Sequence, residues 1–260
     1  MNPQINREQI VDTLREALEP QSYIYAMWEA GAAAFGRVDE WSDLDLIIDV
    51  EDEQVANTFD VIESCLRSLS PIELLYEIPQ PTWHGHTQKF YRLRDASPFL
   101  LVDIAIIRHS NPNKFLEPDI HGDVRVYFDK SNVTRQIPVD RIDLARKLRK
   151  RLEDLKVTFE MFQVLVDKEL NRKNDVEAFS FYQSFTLRPL VEVLRMRYQP
   201  DRYNFHTRYL YYDLPPEVVE KLEGLFFVAN GAELRTKHKS AQTWFYETLE
   251  QIDRRLFHEA

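Results

Sequence analysis

Three aspartates stand where an aspartate is costly. Asp43 and Asp45 stand at the entrance of the run 44–50 (LDLIIDV), and Asp103 is the lone charge within 99–107 (FLLVDIAII). Runs this apolar read as buried strands. Residues two apart on a strand share a face, so Asp43 and Asp45 are expected to point the same way. Carboxylates at the edge of an apolar strand need a cationic neighbour to offset their desolvation and mutual repulsion. A divalent cation supplies one, and an all-oxygen donor set favours magnesium or manganese over zinc. If the Asp103 strand lies beside the Asp43–Asp45 strand, three carboxylates converge. Such a site suits polyphosphate chemistry, in which metal is held on a nucleoside triphosphate and a hydroxyl is activated.

The elements that must position these groups are legible. Residues 23–30 (YIYAMWEA) read as a buried strand running into Gly31. A glycine there permits a tight turn and a close approach of another group to the backbone. The helix-like stretch that follows offers N–H groups for phosphate, and a polar loop leads back to Asp43. The spacing predicts a helix over 7–19 ended by Pro20, and another over 53–69, where Val55, Phe59, Ile62, Leu66 and Leu69 recur at helical steps. Residues 72–78, 88–94 and 124–129 are further strand candidates. Beyond Pro138 the pattern changes to helices over 139–171, 174–198, 216–229 and 232–257, with a kink expected at Pro189. The expected fold class is therefore α+β: a mixed sheet with helices over 1–137, then an all-α bundle over 138–260.

Composition narrows the function classes. With 44% hydrophobic residues in 260, the chain can bury real cores. Residues 1–135 carry 23 acids and 12 bases, whereas 136–260 are nearly balanced. So acidic a first half repels phosphate backbones, which argues against extended nucleic acid and fits metal and a cationic small molecule. No apolar run reaches the roughly 20 residues of a membrane helix, and residues 1–7 lack the apolar core of a signal peptide. The single cysteine, Cys65, excludes an internal disulfide and suits a reducing cytoplasm. It falls on a helix and reads as packing.

Other chemistry-bearing residues are less specific. Glu177, Ser184, Arg188, Glu192 and Arg195 recur at helical spacing. They read as a salt-bridged surface stripe, or as a set in which Tyr182, Arg188 and Glu192 touch substrate. His84 and His86 flank Gly85 in a loop and lack a third histidine at metal-ligand spacing.

The ordered pattern Trp28-Glu-Ala-Gly31-Ala32, Gly36-Arg37 and Ser42-Asp43-Leu44-Asp45-Leu46 resembles the signature of the DNA polymerase beta-type nucleotidyltransferase superfamily. Within it, the chain is most similar to the bacterial aminoglycoside and lincosamide nucleotidyltransferase-like group, which joins such a domain to a helical bundle. The resemblance implies that Asp43 and Asp45 ligate magnesium (or manganese), and that Asp103 completes the metal site or acts as general base. Glu77, Glu177 and Glu192 are alternative bases. It implies that Gly31 and Ala32 hold the triphosphate, taken here as ATP, with Ser42 and Arg37 nearby. The acceptor would be a small hydroxylated molecule of aminoglycoside-like kind, and the protein a monomer or homodimer. One departure stands out. The family usually has serine where this chain has Ala32, and a hydrogen bond to a charged group contributes about 1.5–3 kcal/mol. A nucleotide-binding module of low or no activity, or an antitoxin-like enzyme acting on protein or RNA, are the other readings.

Overall fold

The structure is a computed structural model and describes residues 4–258. The chain divides into two compact units, Met1–Val139 and Asp140–Ala260. The first is a mixed six-stranded sheet with helices and the second is helical, so the fold class is α+β.

In the first unit the order is α1 (Arg7–Leu18), β1 (Ile24–Glu29), α2 (Gly31–Ala34), β2 (Leu44–Val50), α3 (Val55–Leu69), β3 (Ile72–Glu77), β4 (Thr87–Leu93), β5 (Val102–Arg108), α4 (Pro118–His121) and β6 (Arg125–Asp129). The strands lie in the order β3-β4-β5-β2-β1-β6. Only β2 and β5 run parallel, and the other pairings are antiparallel. A capping box starts α1: Asn6 Oδ1 accepts the Gln9 N–H at 2.9 Å, and Gln9 Oε1 accepts the Asn6 N–H at 3.0 Å. The apolar faces of α1 and α3 cover one side of the sheet, packing Ile10, Leu14, Phe59, Ile62 and Leu66 against Leu46, Ile48 and Ile104. The other side carries a smaller core of Ala26, Trp28, Ile47, Ala105, Ile107 and Leu116. Asp45 and Asp103 belong to this second side by strand alternation.

β2 covers Leu44–Val50, the expected span, so Asp43 is the last loop residue, whereas β5 starts at Val102 rather than Phe99. The reason for that difference is local. Ser97-Pro98 turns the chain, with the Leu100 N–H bonded to the Ser97 carbonyl at 3.0 Å.

The loop after β5 returns over the second side and is tied there by His86. This imidazole is 1% exposed, and its Nε2 bonds the Asn113 carbonyl at 2.8 Å. Burial, with the neighbouring His84 and Lys114, lowers its pKa from 6.5 to about 4 against the opposing pull of the Asn113 bond. The unfolded chain therefore takes up a proton near pH 6.5 that the folded chain refuses until about 4. Stability is intact above 6.5 and falls as pH drops through that window, by at most about 3 kcal/mol. Urea unfolding at pH 7.5 and 4.5 should show this loss, and His86→Gln should flatten it. An unchanged slope in the variant would assign the loss elsewhere.

In the second unit α5 (Arg141–Arg172), α6 (Asp175–Phe181), α7 (Arg188–Tyr198), α8 (Leu210–Asp213), α9 (Pro216–Phe226) and α10 (Gly231–His258) surround one core, in which Phe159 and Phe245 stack at 3.6 Å. Asp140 caps α5 through the N–H groups of Ile142 and Asp143, each at 3.0 Å. The expected break at Pro189 takes the form of a π-helical segment, Tyr182–Leu187, joining α6 to α7. Proline has no N–H for the carbonyl of residue 185. Gln163 Nε2 replaces it, bonding the Phe185 carbonyl at 2.9 Å.

The polar stripe on this segment is only partly a surface feature: Glu177, Ser184 and Arg188 are exposed, but Glu192 and Arg195 are buried. Arg195 is fully buried, pairing with Asp213 at 2.8 Å and donating Nε to the His206 carbonyl at 2.6 Å. Glu192 is 4% exposed and held by Arg151 at 2.6 and 2.8 Å. Tyr182 is buried, with its hydroxyl on the Leu225 carbonyl at 3.1 Å. Spacing locates a face but not what covers it. Residues 199–214 fold back over this one, and buried charges there are satisfied by partners rather than by water.

Candidate active site

The site residues gather where β2 and β5 begin. Parallel pairing places Asp45 directly beside Asp103, with Leu44 beside Val102 and Leu46 beside Ile104. Neighbouring strands lie about 4.8 Å apart, so the two half-buried carboxylates are adjacent. Apolar residues above and below them belong to the helix-side core. That packing fixes the register, because a one-residue slip would bury both acids and expose the core.

The turn after β1 closes on this pair. Gly31 has φ +57°, and a Cβ added there would stand 1.8 Å from Asp45 Oδ2 and 2.6 Å from its Cγ. The Ala30 N–H also bonds the Asp45 carbonyl at 2.9 Å. Gly31 is therefore a cradle for the Asp45 carboxylate as much as a turn. Ala32 and Arg37 follow directly: the Ala32 carbonyl accepts the Arg37 N–H at 2.9 Å, and the Arg37 guanidinium lies 5.0 Å from the Phe35 ring centroid. Ser42 sits in a turn of its own. Its Oγ donates to Asp39 Oδ1 at 2.6 Å and accepts the Asp39 N–H at 2.9 Å. That bond, with the Trp41 N–H, holds the Asp39 carboxyl below the usual range.

Asp43 is exposed and precedes the strand. Its carbonyl is gripped by Arg7, whose Nη1 donates at 2.7 Å. Arg7 also pairs with Glu29 at 3.2 Å. Glu29 is 1% exposed, two residues before Gly31, and accepts the Tyr127 hydroxyl. Burial, together with that carboxylate, pushes the Tyr127 phenol up. One arginine thus ties the end of β1 to the start of β2. No periodicity announces such a link, because its members come from α1, β1 and β6.

Gln88 is the second residue that spacing misses. From β4 its Nε2 donates to Asp103 Oδ1 at 2.7 Å and Oδ2 at 2.8 Å. A neutral donor on both oxygens fixes the carboxylate's orientation. If Asp103 serves the reaction, Gln88→Leu should lower kcat by about ten- to a hundredfold, the value of a hydrogen bond to a charged group. KM for the triphosphate should change little. Steady-state kinetics check this, and a rise in KM at constant kcat would place Gln88 in binding instead.

Glu77 does not reach this pair. It is the register partner of Lys89 and lies 3.6 Å from its ammonium, which stands over Phe59 of α3 on the opposite side of the sheet. An open cleft of about 780 Å³ occupies that opposite side, lined by Asp52, Asp60, Glu77, Lys89 and Arg108. Arg108 ends β5, so this cleft also lies at the other end of the strands from Asp45 and Asp103.

The donors are all carboxylate oxygens, and the Gly31 cradle leaves Asp45 room that a Cβ would fill, so the pair fits a hard divalent cation. Among the described residues, no group of three or more His, Cys, Asp or Glu side chains is gathered for a metal ion. Asp45 and Asp103 are thus the assembled part of the set, and Asp43 stands beside it. No described helix is long and apolar enough to cross a membrane.

No protein-family model matches the sequence, and no curated protein matches it. Among solved structures, the chain is similar to an aminoglycoside 6-adenyltransferase from Bacillus subtilis, with 13% identity, 98% of this chain and 92% of that one covered, and a TM-score of 0.37. It is also similar to a spectinomycin adenyltransferase from Enterococcus faecialis, solved with ATP and spectinomycin (9% identity, 95% and 100% covered, TM-score 0.36). A nucleotidyltransferase-like protein from Exiguobacterium sibiricum matches at 12% identity, with 98% and 79% covered and a TM-score of 0.37. Likenesses this distant assign neither a substrate nor an activity to this chain.

Proposed function

We propose that this chain is a nucleotidyltransferase: it binds a nucleoside triphosphate, taken to be ATP, and transfers the nucleoside monophosphate to a hydroxyl of a small acceptor. The supporting observation is the in-register pair Asp45 and Asp103 with Gly31 closed on it. Asp43, Asp45 and Asp103 are assigned as ligands of magnesium or manganese. Bound there, the ion offsets charge on the triphosphate oxygens. Gly31, Ala32, Arg37 and Ser42 are assigned to the nucleotide side. The acceptor oxygen attacks the α-phosphorus, the bond to the bridging oxygen breaks and pyrophosphate leaves. Asp103, oriented by Gln88, is assigned either to complete that metal site or to receive the hydroxyl proton as general base. Residues 1–137 are taken as the nucleotidyltransferase domain and 138–260 as the acceptor-binding domain. A cationic, aminoglycoside-like acceptor suits the acidic first half.

A second reading, a nucleotide-binding module without turnover, draws on Ala32 and on the incompletely gathered carboxylates. One experiment separates the two. ATP, GTP, CTP and UTP are titrated with and without magnesium, and pyrophosphate release is then followed across hydroxylated acceptors. Metal-dependent binding with release supports the enzyme. Binding with no release on any small molecule, protein or RNA leaves the binding module, and no metal-dependent binding ends both readings.

A further inference from the structure

We propose that Trp41 and Phe99 form the seat of the nucleobase, an inference that rests on the nucleotide reading above. Trp41 stands four residues before Asp45 and Phe99 four before Asp103, in the two loops that feed the carboxylate-bearing strands. A hydrogen bond of 2.9 Å from the Leu44 N–H to the Leu101 carbonyl ties those loops together at the strand entrance. The two rings meet edge to face, with centroids 4.6 Å apart and planes at 76°. Trp41 is nevertheless 58% exposed and Phe99 56%. Large aromatics normally bury most of their surface. Here two of them hold each other in place at the site and still present ring surface to solvent.

Both loops are held before any ligand arrives. The Trp41 N–H bonds Asp39 Oδ1 at 3.1 Å, within the turn that Ser42 closes. The Phe99 N–H bonds Ser97 Oγ at 3.3 Å, and the next residue, Leu100, is anchored in the helix-side core. Rings ordered in advance lose little freedom on binding. The occupant must be flat, apolar on its face and joined to a group that lies on Asp45 and Asp103. At about 3.3 Å per residue, four residues of extended chain set an upper bound of roughly 13 Å between Trp41 and Asp45, which a nucleoside arm and the aromatic side chains span together. Asp39 and Glu40 precede Trp41 in sequence. They disfavour seating the phosphates there and leave the uncharged base as the part that fits.

Stacking reads the face of a base and not its edge, so all four nucleotides are accepted with similar affinity. Loss of one stacking ring weakens binding by about fivefold to a hundredfold or more.

The test measures ATP and inorganic tripolyphosphate binding to the full chain by calorimetry with magnesium. The proteins are the wild type, Trp41→Ala, Phe99→Ala and Trp41→Phe, each checked for folding by its melt. ATP should bind the wild type at least fivefold tighter than tripolyphosphate. Either alanine variant should bring ATP toward the tripolyphosphate level and leave tripolyphosphate unchanged, with Trp41→Phe retaining most of the difference. Equal ATP and tripolyphosphate affinity in the wild type, or variants that weaken both ligands or neither, overturns the seat and leaves the triphosphate site standing. A loss confined to a hydroxylated cationic acceptor also overturns it. If neither ligand binds in a metal-dependent way, the nucleotide reading fails and the seat with it.

Discussion

Asp45→Asn is expected to cut nucleotidyl transfer by about a thousandfold or more, at little cost in stability. The change keeps the side chain's shape and removes one charge from a half-buried pair. Offsetting charge on a polyphosphate contributes several kcal/mol to the barrier, and each ~1.4 kcal/mol is a factor of ten in rate. The folded protein should not suffer in proportion. Asp45 sits beside Asp103, and relieving repulsion between neighbouring carboxylates offsets the lost hydrogen-bonding capacity. Pyrophosphate release and thermal unfolding measured on the same sample decide the matter. A variant that keeps near wild-type turnover removes Asp45 from the chemistry. One that loses turnover only because it melts makes the aspartate structural. Asp103→Asn separates the two roles open to Asp103. A metal ligand loses magnesium-dependent nucleotide binding along with rate, whereas a proton acceptor loses rate alone.

The sequence carried the parts of this site that depend on local pattern. Alternation along β2 and β5 marks Asp45 and Asp103 among the anomalous charges, and strand pairing then makes these two neighbours. The helix α3 is equally legible because its apolar positions repeat at one period and all serve one core. What is missing from the pattern is what non-local contacts decide. Gln88 is an ordinary polar residue on a strand until β4 pairs with β5 and aims its amide at Asp103. Arg7 looks like a solvent-facing residue in the first turn of α1, yet it binds the Asp43 carbonyl and Glu29. In the helical unit the same limit hides two buried members of an otherwise exposed stripe. Charges at helical spacing suggest a solvated stripe, but Arg195 and Glu192 lie inside because residues far along the chain, Asp213 and Arg151, meet them there. The π-helical segment shows a mixed case. Pro189 predicts that a backbone bond is lost, and only the fold shows that Gln163 replaces it.

Gly31→Ala should cost the site far more than the single carbon it adds. The new methyl would lie 1.8 Å from Asp45 Oδ2 and 2.6 Å from its Cγ, inside any allowed contact, so either the carboxylate or the turn must move. Positive φ adds a backbone cost of about 1–2 kcal/mol for a residue with a Cβ. Moving the Asp45 carboxylate carries it away from Asp103. Moving the turn breaks the 2.9 Å bond between the Ala30 N–H and the Asp45 carbonyl. Both routes reach the carboxylate pair, so metal-dependent triphosphate binding should fall at least about tenfold, beyond the loss of stability. Gly36→Ala is the control. Gly36 also has positive φ, at +63°, but a Cβ there meets nothing within 4 Å. It should show the backbone cost alone, lowering the melting temperature while triphosphate binding stays near wild type. Calorimetric titration of both variants, at a temperature where each is folded, gives the comparison. If the two lose binding equally, strain in the loop is the cause and Gly31 is only a turn. If Gly31→Ala alone loses it, the glycine is there because the Asp45 carboxylate occupies the space a side chain would need.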